Sequence, residues 1–277
     1  MPWPPSDPAW RRLPLTVTTD LAHGGRWTSL RTSGREWLWR HPDDAVAAAR
    51  ALVRPGNAFI DAGGVEECFP TLRGEPDHGD AWSRPWTEAD GGQRVRLGEL
   101  HLTRRFQPGA GVGVDYSVTG PPGTPVVHAV HALLDVSPAA RLHAPGVGAA
   151  HVLDDPVEGA IAQVPWPSGA LDRLGPDDGT ATAVVLPGCA RAAVVDGADA
   201  LVMSWRVTAA GAGTTTALLL WRNLGGWPAG APYRSIGVEP MAGSAADLAA
   251  PAPGRPATTD ASGVLRWGLT LTAWRQA

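Results

Sequence analysis

The feature that most restricts this chain is strict two-residue alternation of apolar and polar side chains, repeated in short runs. Arg94 to Phe106 holds two such runs, R-V-R-L and L-H-L-T-R-R-F, divided at Gly98-Glu99. Val112 to Val118 reads V-G-V-D-Y-S-V, Leu201 to Val207 reads L-V-M-S-W-R-V, and Val264 to Trp274 reads V-L-R-W-G-L-T-L-T-A-W. Leu13 to Thr18 (L-P-L-T-V-T) is a shorter case. A period of two puts every second side chain on one face, as in a half-buried strand. Apolar runs at Val126–Val130, Ala183–Leu186, Ala192–Val195 and Ala217–Trp221 predict more deeply buried strands. The turn residues that bound these runs, 34 Gly and 27 Pro, are present at close to twice their usual share. Roughly a dozen strands at short spacing predict a sandwich or a barrel.

One helix is predicted, over about residues 44–53. Asp43-Asp44 can cap it, the alanines of AVAAARALV favour it, and Pro55-Gly56 ends it. Ala249 to Ser262, rich in Pro, Ala, Gly and Thr, reads as a loop because only one strand-like segment follows it. At about 150 residues per domain, 277 residues leave one or two domains. No boundary separates two, so residues 1–277 are expected to form one all-β domain.

Charge and apolar content narrow the class. The formal net charge is −4, and all 23 basic residues are arginine, never in a run longer than two. That argues against nucleic acid and anionic membranes as partners. No stretch approaches the roughly 18 apolar residues of a membrane span, and Met1 to Pro14 lacks the apolar core of a signal peptide. A cytoplasmic location is expected. Cys68 and Cys189 can pair, but two cysteines in a chain this long are not a disulfide framework.

Polar residues gather in three segments. Asp61 to Trp86 (DAGGVEECFPTLRGEPDHGDAWSRPW) sets carboxylates, Arg73 and His78 beside Trp82 and Trp86 on a loop broken by Gly63-Gly64 and Pro70. Such company suits a polar ligand with apolar faces. Val126 to Pro145 carries His128 and His131 inside an apolar run. Three apart on a strand, they face opposite sides, so the H-x-x-H spacing lacks the geometry of a helical metal site and no metal is expected. In Ala217 to Leu248, Glu239 ends the run S-I-G-V-E just before Pro240, at a strand end suited to entering a pocket.

Together these segments resemble the galactose mutarotase-like (aldose 1-epimerase) superfamily. GGVEECFPT (Gly63–Thr71) is similar to its G-G-x-x-E-x-x-P-T segment, and DHGDAW with Pro85-Trp86 to its H-G…W segment. VHALLDVSPAARLHAP (Val130–Pro145) resembles the segment with the second active-site His, and LLLWRNLGGWPAGAPYRSIGVEPMAG (Leu218–Gly243) the W-x-N…I-x-x-E-P-x-x-G segment. GGRWTSLRTSGREWLW and SGVLRWGLTLTAW match the opening hairpins and the last strand, so the likeness covers nearly the whole chain. It implies a large antiparallel β-supersandwich acting on a small-molecule sugar, with no cofactor. It implies Glu239 as catalytic base, His131 as acid and His78 as the residue that holds the sugar. Arg73, Glu67 and Asn223 fall to substrate binding, and Trp82, Trp86 or Trp221 can stack on a pyranose. The N-R-I/Y and N-x-x-Y/F-N-L segments of the well-studied mutarotases are missing, and only Asp172 stands near their sugar-binding Asp. A non-catalytic sugar-binding protein and chemistry at another sugar carbon are the rival expectations. Phosphosugars rank below neutral sugars, because Arg11-Arg12 and Arg104-Arg105 are the only paired cations.

Overall fold

The alternating runs become the strands of two large sheets with antiparallel ladders. The computed structural model describes residues 3–153, 161–250 and 253–277. One nine-stranded sheet runs in the order Arg141–His143, Arg191–Asp196, Asp199–Ala209, Val264–Gln276, Val112–Thr119, Leu100–Gln107, Gly92–Leu97, Thr87–Ala89, with Trp10–Leu13 also on Val264–Gln276. The ten-stranded sheet runs Ala162–Pro165, Ala149–Val152, Ala181–Pro187, Thr216–Trp227, Tyr233–Ala242, His128–Leu134, Val65–Cys68, Arg26–Thr32, Thr16–Asp20, with Arg35–Glu36 on Arg26–Thr32. We call the ten-stranded sheet the site sheet. Gly98-Glu99 closes the hairpin between Leu97 and Leu100, where the alternation breaks.

Each sheet turns one face toward the other, and the main core fills the space between. Tyr116, Val118, Trp267 and Leu269 of the nine-stranded sheet join Val130, Leu134, Leu218, Leu220 and Val238 of the site sheet in one buried cluster. The opposite face of the site sheet is apolar too. Cys68, Ala129, Leu219 and Met241 form a second cluster there with Leu72 and Ala245 from the following loops. Burial on both faces explains why His128–Leu134 reads as a continuous apolar run and not as an alternation.

Six expectations need adjustment. Glu239 does not end a strand, because Tyr233–Ala242 runs on past Pro240. The segment Asp61–Trp86 is not all loop, because Val65–Cys68 is a strand paired with His128–Leu134. Leu13–Thr18 is not one strand: Pro14, which cannot donate to a ladder, separates Trp10–Leu13 of one sheet from Thr16–Asp20 of the other. The helix spans Asp44–Ala51, with Asp43 Oδ1 accepting from the Ala45 N–H at 2.8 Å, and closes early because Leu52 N–H bonds back to Ala49 O. The Ala249–Ser262 loop contains a two-residue strand, Ala257–Thr258, paired with Pro125–Val126. Cys68 and Cys189 are buried and both free, so the conceivable disulfide does not form. Among the described residues, no helix is long and apolar enough to cross a membrane.

Candidate active site

Register decides which polar groups of the site sheet meet. With Ala129 opposite Met241 and Leu133 opposite Gly237, His131 falls opposite Glu239 on the neighbouring strand. On its other side His131 lies opposite Glu66. His131 Nδ1 is 2.8 Å from Glu239 Oε1, and the two side chains are 7% and 0% exposed. The contact has ion-pair distance but not hydrogen-bond direction. His131 Nε2 and both carboxylate oxygens of Glu239 therefore have no hydrogen-bond partner among the described residues. Buried polar atoms are nearly always paired, so such a group marks a place built for an incoming molecule. Gly237 makes the room: a Cβ there would come within 2.5 Å of Glu239 Oε1 and 3.0 Å of Trp221 Cβ.

Burial opposes a charge on His131, but Glu239 overrides it, with help from Asp61 and Glu66, and holds its pKa up at about 9. The imidazole is thus a cation at neutral pH, facing a carboxylate. Glu66 is itself pushed up by burial, against the opposing pull of Arg50 and Arg26. Arg50 clasps it twice, Nε to Oε1 at 2.8 Å and Nη2 to Oε2 at 2.9 Å, while donating to the Trp82 carbonyl as well. The helix Asp44–Ala51 is thereby tied to the floor of the site.

His78 arrives from the loop above. Its ring stacks on Phe59 at 3.7 Å and stands edge-on to His131 at 5.3 Å. Phe59 also meets His131 at 5.6 Å, so it roofs the histidine pair. Gly79 fixes the loop: it adopts φ +66°, and a Cβ would collide with the Phe69 carbonyl. Gly79→Ala should cost at least about 1 kcal/mol and displace His78, because an L side chain resists this conformation and has no space here. Thermal melts would check it, and an unchanged melting temperature would contradict this account of the loop.

The residues named from sequence divide sharply. His78, His131 and Glu239 converge. Trp221 lies on the same face, half-buried, donating Nε1–H to Ser235 Oγ at 3.0 Å. Arg73 lines a neighbouring cavity of about 330 Å³ with His151, Ser244 and Asp247. Val185, in that lining, lies two strands from Glu239 across Leu219, and none of the trio lines the cavity itself.

The others are corrected. Glu67 points between the sheets, fully buried against Arg104 (2.6 Å), Tyr116 (3.1 Å) and His128 (3.0 Å), and cannot reach a sugar. Its neighbour Glu66 has the site-facing parity. Asn223 is spent on its own turn, accepting from Gly226 and Trp227 N–H and donating to Trp227 O. Trp82 is 1% exposed with Nε1–H given to Gly79 O, and Trp86 is 3% exposed under the Arg104 guanidinium, so both are packing residues. The Asp172 carboxylate faces Arg141 of the nine-stranded sheet at 3.8 Å.

Sequence reasoning missed Phe59, Glu66 and Asp61. Asp61 Oδ2 accepts from the Tyr233 hydroxyl at 2.8 Å. Only the strand parity of Glu66 against His131 could have revealed any of them.

No family model matches the chain, and no curated protein matches it. Solved structures do. A Synechocystis protein aligns over 100% of this chain and 99% of its own, at TM-score 0.68 and 14% identity. A candidate aldose 1-epimerase of Escherichia coli K12 aligns over 95% and 99%, at 0.65 and 16%. The galactose 1-epimerase of Lactobacillus acidophilus aligns over 95% and 92%, at 0.56 and 12%. At these identities the likeness speaks for architecture alone, and the chain has the galactose mutarotase-like supersandwich fold.

Proposed function

We propose that the protein is an aldose 1-epimerase, interconverting the anomers of an aldose by opening and reclosing its ring. The observation that carries this reading is the buried His131–Glu239 pair, at ion-pair distance and short of hydrogen-bond partners among the described residues. Ring opening needs a base for the C1 hydroxyl proton and an acid for the ring oxygen, each within about 2.6–3.2 Å of its atom. Glu239 takes the C1–OH proton. The electron pair forms the carbonyl, the C1–O5 bond breaks, and His131 gives its proton to O5. After rotation about C1–C2 the roles reverse: Glu239 returns a proton to O1 while His131 recovers one from O5. In this reading Trp221, on the same sheet face, offers its ring to the pyranose.

Polarimetry on freshly dissolved aldoses tests this, with the buffer rate subtracted. Because the acid must start protonated, activity should persist through neutrality and fall only as pH rises through about 9. That alkaline limb belongs to the coupled pair. A limb near pH 6.5, the value of an ordinary histidine, would reject His131 as the acid.

A second reading, a sugar-binding protein on the same fold, draws support from the internal use of Glu67 and Asn223, which leaves fewer groups for sugar hydroxyls. Saturable sugar binding without accelerated anomer exchange would establish it.

A further inference from the structure

One ring nitrogen of His78, one of His131 and Cys68 Sγ lie within 4.8 Å of one another. The histidine pair suggested by spacing, His128 and His131, faces opposite ways. The pair that meets comes from a loop and a strand. Cys68 belongs to the site-sheet face that carries His131, two ladder positions along from Glu66.

Each ring has a carboxylate beside one nitrogen. His131 Nδ1 lies 2.8 Å from Glu239 Oε1 and His78 Nδ1 lies 3.0 Å from Asp77 Oδ2, both at ion-pair distance without hydrogen-bond direction. A carboxylate on the far nitrogen is the usual support of a metal-bound imidazole, fixing the ring and leaving Nε2 for the ion. His131 Nε2 is buried and has no hydrogen-bond partner among the described residues. Cys68 is fully buried. Burial pushes the Cys68 thiol up and His131 holds a proton at neutral pH, so an ion must displace both protons to bind. The thiolate and two imidazoles so formed are a borderline-soft donor set, suited to zinc or cobalt and unsuited to magnesium or calcium.

We propose that Cys68, His78 and His131 form a binding site for a single soft divalent cation of the zinc class, with Asp77 and Glu239 as supporting carboxylates. Tetrahedral zinc sets its S and N ligands roughly 3.3–3.6 Å apart, so the three atoms close by no more than about 1.5 Å. His78, on its loop and one-fifth exposed, makes that movement. Three protein ligands leave a fourth position open, as in catalytic and exchangeable sites. The ion takes the His131 nitrogen that would serve a ring oxygen, so on the reading above metal and ring opening exclude each other. The site itself does not depend on that reading.

Cobalt(II) titration of the chelator-treated full chain tests it. The expected result is one ion per chain with a thiolate-to-cobalt charge-transfer band, absent in Cys68→Ala and kept in Cys189→Ala. Asp77→Asn should weaken binding about tenfold. No binding, or a band that survives Cys68→Ala, overturns the site. Should Cys68→Ala fail to fold, X-ray absorption of the zinc-loaded wild-type chain decides. One sulfur at about 2.3 Å with nitrogens at about 2.0–2.1 Å supports the site, and a shell without sulfur rejects it. Both measurements read the metal alone, so a failed mutarotase assay leaves them intact.

Discussion

Glu239→Gln is expected to lower the rate of anomer exchange by about 100- to 10,000-fold, the usual worth of a positioned general base. The substitution keeps shape and removes the charge, so the fold should survive. It also strips His131 of the carboxylate that holds its pKa near 9. Burial then acts with less opposition, and the imidazole should titrate well below that value. Two measurements separate these effects. Polarimetry reports the rate, and NMR titration of the His131 ring reports the proton. An undiminished rate would sink the base assignment, and an unmoved His131 titration would sink the pairing.

Glu67→Ala should destabilise the protein by about 3–5 kcal/mol, because it leaves the Arg104 guanidinium buried without its counter-ion. Both side chains are fully buried. Around them Gln93 Oε1 accepts from Arg104 Nε at 2.8 Å, the Gly25 carbonyl accepts from Nη2, and Trp267 Nε1–H donates to His128 Nδ1 at 3.0 Å. Burial raises the Glu67 pKa, but His128 and Arg104 overcome it, and the net direction is down. A carboxylate lowered in this way stabilises above its unfolded value, and that contribution fades as pH falls through the folded one. At roughly 2–4 °C per kcal/mol for a chain of this size or somewhat smaller, the melting temperature should drop by about 6–20 °C. Replacing both partners, Glu67→Leu with Arg104→Met, should recover much of the loss, since an apolar pair carries no stranded charge. A single-variant loss below about 1 kcal/mol would show the network to be far weaker than its burial suggests.

The parts of the fold legible in sequence were those fixed by neighbours along the chain. Alternation located Val112–Thr119 and Val264–Gln276, a Gly-Glu break located a hairpin, and Asp43 located a helix start. The site was legible only through its resemblance, because it joins a loop and two strands more than 100 residues apart. The errors have two physical sources. Glu66 and Glu67 differ only in parity, and parity is set by pairing with His128–Leu134, which no local pattern announces. Trp82 and Asn223 looked like ligands because their motif positions say nothing about the turn carbonyls and amides that occupy them.

The cross-strand placement of His131 and Glu239 makes competence all-or-none. Their spacing is set by a main-chain ladder, and a slip by one residue would send one partner to the opposite face of the sheet. No graded series of weakened sites lies between the right pairing and a wrong one. If the pair is catalytic, specific activity after refolding counts the fraction of molecules with the correct register, so an assay of turnover doubles as a gauge of folding fidelity.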